Sequence, residues 1–182
     1  MTEEQLVKEC ISRNAIAHKK FYDLFAKKMM GVCLRYAANP DEAQDVLQDG
    51  FIKVFSKLPK FVNKGSLEGW VRKIIVNTAL DQYRKNKKYQ SDVEIDAVSF
   101  KLEQRDFIIE TINANDLLQL IQTIPKGYRV VFNLFAIEGY SHKEIAEQLG
   151  VTESTSKSQY SRAKKMLRKL LVDNNIAEEG ER

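Results

Sequence analysis

Apolar residues recur every three to four positions through almost the whole chain, which is the spacing that gathers them on one side of an α-helix. A short first helix is predicted after Thr2, which forms a capping box with Gln5. A longer second helix is predicted from about Asn14 to Ala38, and its apolar side should face inward. That side consists of Ile16, Phe21, Leu24, Phe25, Met29, Val32 and Tyr36.

Residues that stop or cap helices divide the rest of the pattern. Pro40 suits a first helical position and has acids behind it, so it starts a third helix, which Pro59 ends. Ser66 caps a fourth helix, from Leu67 to about Lys87. Strand patterns are nearly absent, so the chain is predicted to be all-α. The last four helices begin near Asn113, Pro125, Ser141 and Thr152.

The final two helices, between residues 139 and 171, have the pattern of a helix-turn-helix of the winged-helix or homeodomain kind. Ser141 and Glu144 form a capping box at the first helix, and Gly150 suits the left-handed conformation that ends it. Thr152 then caps the second helix, which turns an apolar side toward the first. That side consists of Tyr160, Ala163, Leu167 and Leu170.

Charge favours DNA as the partner of this second helix. Six Lys or Arg stand against one acid in residues 151–171, a net of +5 in a chain whose total is +4. Such a face gains affinity for a duplex by releasing counterions, and its hydroxyls and guanidinium groups can reach base edges in the major groove. The alternative is a solvated basic helix. The candidate DNA contacts are Thr155, Lys157, Ser158, Ser161, Arg162, Lys165 and Arg168.

A second basic surface is predicted on the fourth helix. Residues 65–90 carry six cations and two acids, with Trp70 and Tyr83 among them and Phe61 just upstream. Rings among cations suit opened nucleic acid, because exposed bases stack on them. The alternative is that Trp70 belongs to the core with Ile74 and Ile75, which leaves the loop 61–66 and the polar helix face. The candidates there are Asn63, Lys64, Arg72, Lys73, Asn77, Arg84 and Lys85.

The two basic surfaces are separated by an acidic stretch. Residues 91–116 carry seven acids and two bases, a net of −5. Residues 92–98 alternate like a strand but have no partner strand, so we expect extended chain there. The predicted organisation is a domain over residues 1–90, an acidic linker over 91–112, a helix-turn-helix domain over 113–175 and an acidic tail over 176–182.

Several classes of protein are excluded by what the chain lacks. Cys10, Cys33 and two histidines are too few and too scattered for a metal site or a disulfide framework, so both cysteines should be reduced and buried. No phosphate-cradling loop or nucleophile–base pair points to an enzyme or to a bound cofactor. No apolar run approaches the ~20 residues that span a bilayer, and the N-terminus lacks a secretion signal, so we expect a cytoplasmic protein without membrane insertion.

Three segments, in this order, resemble a known family. They are residues 41–55 (DEAQDVLQDGFIKVF), 70–88 (WVRKIIVNTALDQYRKNKK) and 124–171, which opens with IPKGYRVVFNLFAIEGYSHKEIA. Together they resemble the bacterial sigma factors of the sigma-70 family, in the two-domain form called the extracytoplasmic-function group. The resemblance covers about residues 20–171.

The resemblance implies a transcription initiation factor that directs core RNA polymerase to promoters and helps to open the DNA. The first segment would dock on the clamp of the β′ subunit, the second would read and melt the −10 element, and the third would read the −35 element. The β flap and an anti-sigma factor are the further partners that it implies. Acids one turn apart beside apolar residues suit docking on a cationic partner, although a solvated amphipathic helix is the alternative. The docking candidates are Asp45, Gln48, Asp49, Phe51 and Ile52.

Two positions depart from the family pattern. Ser156 stands where an apolar residue is usual, which predicts looser docking of its helix or a hydrogen bond back to a carbonyl of the turn. Gln159 stands where the family often has Arg. Two competing functions are a free-standing regulator that binds duplex DNA as a dimer, and an interaction module that binds no DNA. The first requires a dimerisation surface that the sequence does not reveal, and the second leaves both basic surfaces unexplained.

Overall fold

The computed structural model describes residues 2–62, 65–90 and 114–173, and within these ranges the chain forms helices and turns without a strand. The all-α prediction is therefore confirmed. A 3-10 turn, Leu58–Lys60, follows the third helix, and a π-helical turn, Asn133–Ile137, continues the sixth. The α-helices are α1 (Glu3–Ile11), α2 (Ala15–Tyr36), α3 (Pro40–Lys57), α4 (Leu67–Gln90), α5 (Ala114–Thr123), α6 (Lys126–Phe132), α7 (His142–Leu149) and α8 (Glu153–Asp173).

The helices begin at the residues that the sequence predicts as caps. The Thr2 side chain accepts a hydrogen bond from the Gln5 amide, and the Gln5 side chain accepts one from the Thr2 amide. The Ser66 hydroxyl accepts a hydrogen bond of 3.0 Å from the Gly69 amide. α4 runs to Gln90, slightly beyond its predicted end.

The chain divides into two compact units, Met1–Lys88 and Tyr89–Arg182. The predicted acidic linker over residues 91–112, its extended stretch 92–98 and the tail over 176–182 lie outside the described residues. Their boundaries therefore stay predictions.

Aromatic rings form much of the core of the N-terminal unit, where α2 packs against α3. The rings of Phe21 and Phe25 meet edge to face with centroids 4.9 Å apart, and the rings of Tyr22 and Phe51 lie 4.7 Å apart. Edge-to-face and tilted ring pairs add to the stability that apolar burial provides.

Cys33 and Cys10 are buried in this unit without a disulfide, as the sequence predicts. Burial raises the pKa of the Cys33 thiol to about 12. The thiol is therefore neutral at physiological pH, which makes it a poor nucleophile.

Two residues of α2 that were predicted to face inward are exposed instead. Ile16 is 78% exposed and Leu24 is 52% exposed. Each directly precedes a buried residue of the α2 core series, Ala17 or Phe25, and neighbouring residues point about 100° apart around a helix. The face of α2 that meets the rest of the unit is therefore narrower than the apolar pattern.

The C-terminal unit is built around α8, which packs against α5, α6 and α7. Arg129 of α6 is buried, and its Nη1 donates a hydrogen bond of 3.0 Å to the Gln122 carbonyl near the end of α5. A guanidinium at a helix C-terminus satisfies a carbonyl that the helix leaves unpaired. This contact joins α5 to α6.

Candidate nucleic-acid and protein interfaces

The helix-turn-helix is present as predicted. The Ser141 hydroxyl accepts a hydrogen bond of 3.3 Å from the Glu144 amide, and the Glu144 carboxylate accepts one of 2.8 Å from the Ser141 amide. Gly150 ends α7 in the left-handed conformation, with φ 65° and ψ 39°. The Thr152 hydroxyl then caps α8 by accepting a hydrogen bond of 3.0 Å from the Thr155 amide.

The packing of α7 and α8 fixes which side of α8 faces outward. Four apolar residues of these two helices are buried within the unit: Ile145, Leu149, Ala163 and Leu170. Two residues on the predicted apolar side, Tyr160 and Leu167, are half-buried. All seven candidate DNA contacts lie on the opposite side, which we call the outer face of α8. Thr155 is half-buried there, and Lys157, Ser158, Ser161, Arg162, Lys165 and Arg168 are exposed.

Two side chains of the outer face bond within their own helix. Lys157 pairs with the carboxylate of Glu153 at 2.7 Å, one turn earlier. The Ser158 hydroxyl donates a hydrogen bond of 3.0 Å to the Thr155 carbonyl. Both contacts are exposed and local, so they leave the face open to a duplex.

Arg162 differs from these two because its partner lies on another helix. Its Nη1 donates a hydrogen bond of 3.1 Å to the hydroxyl of Tyr128 in α6, and its Cζ lies 5.8 Å from the centroid of that ring. Tyr128 was missed by the sequence reasoning. Its separation of 34 residues from Arg162 leaves no local pattern that could have revealed it.

Ser156 contradicts both outcomes predicted for it. Its side chain is 0% exposed, so α8 is closely packed at this point. Its hydroxyl lies 3.0 Å from Nδ1 of His142, the first residue of α7, and not on a carbonyl of the turn. The His142 ring stacks on Phe135 with centroids 4.2 Å apart. The buried hydroxyl is tolerated because a side chain of the neighbouring helix supplies its hydrogen-bond partner.

The second basic surface lies on α4. Four of the candidates are exposed on one side of that helix, which we call the basic face of α4: Lys73, Asn77, Arg84 and Lys85. Arg72 is half-buried and points about 140° away from Lys85, on the far side of Lys73, so it does not belong to this face. Asn63 and Lys64 lie outside the described residues.

Asp81 places a negative charge within the basic face. Its carboxylate pairs with Arg84 at 2.6 Å and with Lys53 of α3 at 3.0 Å. Partial burial alone would raise the pKa of Asp81, but the hydrogen bonds and charges of Lys53 and Arg84 lower it. The carboxylate is therefore ionised at neutral pH and ties the basic face to α3.

The aromatic residues near this face are only partly accessible. Trp70 and Phe61 are half-buried, with ring centroids 5.1 Å apart, while Ile74 and Ile75 are buried as predicted. Tyr83 is half-buried too, and burial raises the pKa of its hydroxyl. Phe61 and Trp70 thus form a ring pair beside the loop that leads into α4.

The candidate docking residues of α3 separate into two groups. Phe51 is 3% exposed and packs into the aromatic core, so its prediction as a surface contact is wrong. Ile52, by contrast, is 67% exposed. The spacing of Leu47, Phe51 and Val54, all buried, identifies the inward side of α3 and was readable from the sequence.

The exposed group forms a narrow line along α3, which we call the acidic stripe. At about 100° per residue its members share one side of the helix. Asp41, one turn before Asp45, joins them and was missed by the sequence reasoning. The stripe consists of Asp41, Asp45, Gln48, Asp49 and Ile52, all exposed.

In the described ranges, no helix is long and apolar enough to cross a bilayer. The same ranges contain no cluster of three or more histidine, cysteine, aspartate or glutamate side chains that could hold a metal ion.

Comparison with known proteins matches both units to one family. Residues 21–89 match the family model for Sigma-70 region 2, and residues 114–167 match the model for Sigma-70, region 4. The chain is 31% identical over 129 residues to RNA polymerase sigma factor SigZ of Bacillus subtilis, an alignment that covers 70% of this chain and 71% of that protein. It is 27% identical over 184 residues to the ECF RNA polymerase sigma factor SigW of the same species, covering 95% and 98% of the two chains.

A solved structure shares the fold. The sigma factor RpoE of Bartonella quintana, crystallised in complex with the anti-sigma factor NepR, superposes with a TM-score of 0.51 at 24% identity, over 85% of this chain and 96% of that chain.

Proposed function

Since the chain belongs to the extracytoplasmic-function group of the sigma-70 family, and so is a transcription initiation factor, we propose that three of its surfaces divide the work of initiation. The acidic stripe of α3 docks on core RNA polymerase. The basic face of α4 binds the opened −10 element, and the outer face of α8 reads the −35 element as duplex. The polymerase supplies the catalysis, and the protein acts where the polymerase does, in the cytoplasm.

The observation that carries the docking proposal is the exposure of Ile52 at the end of the acidic stripe, one turn after Asp49. Ile52 is 67% exposed, so a partner that covers its side chain makes the free energy of binding more favourable. Asp45 and Asp49 lie on the same side of α3 and supply acceptors for a cationic partner, as expected of the β′ clamp. Apolar contact surrounded by charge is the usual composition of a protein interface.

The basic face of α4 suits single-stranded DNA because it carries exposed cations on the helix that also holds Trp70. Lys73 and Lys85 are exposed, and the Phe61–Trp70 ring pair lies beside the loop that precedes the helix. Cations that follow the backbone and rings that stack on bases are the two elements of single-strand binding. Asn63 and Lys64 in that loop are proposed contacts on the sequence pattern alone.

The outer face of α8 suits duplex DNA because it presents hydroxyls and cations over about 20 Å of one helix, from Thr155 to Arg168. Arg162 is the proposed base contact, since a guanidinium matches the two acceptors of a guanine. Lys165 and Arg168 are the proposed phosphate contacts.

An anti-sigma factor is a further proposed partner. Its support is the Bartonella quintana relative, which was crystallised with one. Such a partner would act by covering surfaces that polymerase or DNA needs.

The docking proposal is tested with the double variant Asp45→Arg and Asp49→Arg. Both side chains are exposed, so helix content by circular dichroism should stay at the wild-type value. Two reversed charges should place repulsion where attraction is proposed, and co-elution with core polymerase should be lost.

Asp23→Arg is the matched control for the charge reversal at Asp49. Asp23 is also exposed, but it pairs with Lys19 on α2 and lies outside the stripe. The Asp23 variant should bind polymerase normally. Wild-type affinity of the double variant would contradict the docking proposal.

A further inference from the structure

The contact between Arg162 and Tyr128 joins two helices at the surface proposed to read DNA. Tyr128 is half-buried on α6 and reaches the guanidinium of α8 with both its hydroxyl, at 3.1 Å from Nη1, and its ring, at 5.8 Å from Cζ to the centroid. Tyr128 is itself well anchored, because the next residues, Arg129 and Val130, are buried and α6 packs against α8.

The contact leaves the base-reading groups of Arg162 available. A guanidinium carries five N–H donors in a rigid fork, and the hydrogen bond to Tyr128 uses one of them. The remaining donors include pairs that match the O6 and N7 acceptors of a guanine. Tyr128 therefore holds the side chain without blocking its recognition edge.

Holding the side chain matters because a free arginine loses many rotamers when it binds. A side chain that is already fixed in its bound orientation loses less conformational entropy on association. It also meets a base edge at one angle, which favours the base whose acceptors match that angle. On the outer face of α8, Lys157 and Ser158 bond within their own helix, whereas Arg162 is oriented by a neighbouring helix.

We propose that Tyr128 is a positioning residue for promoter recognition, which orients the guanidinium of Arg162 and so sets the preference at one base pair without touching the base. This inference rests on the proposed role of the outer face of α8. The hydroxyl fixes the rotation of the guanidinium, and the ring supports one side of its plane.

The test uses holoenzyme assembled from the full-length chain and core polymerase, with promoter probes that differ by single base pairs in the −35 element. The base pair read by Arg162 is defined as the one at which Arg162→Ala loses preference. Tyr128→Phe keeps the ring and removes the hydrogen bond, so preference at that base pair should fall about threefold. Tyr128→Leu removes both contacts and should approach the preference of Arg162→Ala. The salt dependence of binding should not change, because no phosphate contact is lost.

The double variant decides whether Tyr128 acts through Arg162. In the Arg162→Ala background, Tyr128→Leu should cause no further loss of preference. An additional loss there would overturn the inference, because Tyr128 would then contribute independently of Arg162.

The remaining outcomes separate the inference from the function beneath it. If Arg162→Ala relaxes the preference and neither Tyr128 variant does, the positioning role is wrong and the proposed base contact stands. If Arg162→Ala relaxes no base pair, both are wrong. An equal loss of affinity for every probe, with the preference between probes unchanged, would indicate damaged folding and would also overturn the positioning role, and the conservative Phe variant guards against that result.

Discussion

At the scale of single residues, Ser156 and His142 show how a polar group is accommodated in the centre of the helix-turn-helix. The serine hydroxyl is buried, and the histidine Nδ1 lies 3.0 Å from it. A buried hydroxyl without a partner costs free energy, whereas a paired one is close to neutral. The two residues are therefore expected to depend on each other.

This dependence predicts a non-additive pair of substitutions. Ser156→Ala removes the partner of the half-buried His142 ring, and His142→Phe removes the partner of the buried hydroxyl, so each alone should lower the free energy of unfolding by about 1 kcal/mol or more. The double variant should lose less than the sum, since both polar partners are then gone and a Phe ring can still stack on Phe135. Urea titration followed by circular dichroism measures the effect.

Two internal controls accompany this experiment. Ser158→Ala removes an exposed hydroxyl from the same helix and should change stability much less. Trp70, the chain's single tryptophan, belongs to the N-terminal unit, so the unfolding midpoint reported by its fluorescence should not move. Additive losses would show that the two side chains do not interact energetically.

At the scale of helices, α4 is fastened to α3 by both packing and charge. A Cβ on Gly50 would overlap Cδ1 of the buried Ile75, so the glycine permits the close approach of the two helices. Beyond that contact, Lys53 pairs with Asp81 and the Asn86 amide donates a hydrogen bond of 2.9 Å to the Glu42 carboxylate. These three contacts hold together α3, the helix proposed to dock on polymerase, and α4, the helix proposed to bind DNA.

The position of Asp81 within the basic face of α4 leads to a prediction for DNA binding. Asp81→Asn removes the negative charge from the basic face of α4, so the holoenzyme should bind a single-stranded −10 oligonucleotide more tightly and with a steeper salt dependence, by about one unit of slope or less. Stability should change little, because exposed ion pairs contribute roughly 0.2–1 kcal/mol and the Asp81 side chain is 53% exposed.

The sign of the pH effect follows from the lowered pKa of Asp81. The stability that this carboxylate contributes is present at neutral pH and is lost as pH falls through the folded-state pKa. Asp23→Asn, which breaks the Lys19 pair on α2, is the control and should leave DNA binding unchanged. Weaker oligonucleotide binding by the Asp81 variant would show that the acid positions Arg84 for DNA instead of opposing it.

At the scale of the whole molecule, the proposed function assigns separate parts of promoter recognition to the two units of one chain. A single small module makes few contacts with DNA, whereas two linked modules bind with the effective concentration that the linker provides. We therefore expect full affinity to require both units together on polymerase.

This arrangement predicts that a fragment over residues 113–182 binds −35 duplex weakly and as a monomer. Its affinity should be lower than that of the holoenzyme by orders of magnitude, as measured by fluorescence anisotropy, and sedimentation should show one mass. Tight binding of a palindromic duplex by a dimer of this fragment would favour the free-standing regulator.

The local features of the fold were readable from the sequence. The caps at Thr2, Ser66, Ser141 and Thr152 and the left-handed Gly150 all act over four residues or fewer, so neighbouring letters specify them. The charges and the side of α8 that faces outward followed from the same short-range periodicity. The sequence by itself therefore determined the helices, the helix-turn-helix and the class of partner.

The tertiary structure alone decided which apolar residues are covered and which polar groups meet. Ile16 and Leu24 fit a helical stripe but lie outside, because the width of the buried face depends on the neighbouring helices and not on the period. Tyr128 reaches Arg162 across 34 residues and His142 reaches Ser156 across 14, distances over which periodicity carries no information. Such contacts arise only when packing brings separate helices together, since a helix alone can pair only side chains about one turn apart.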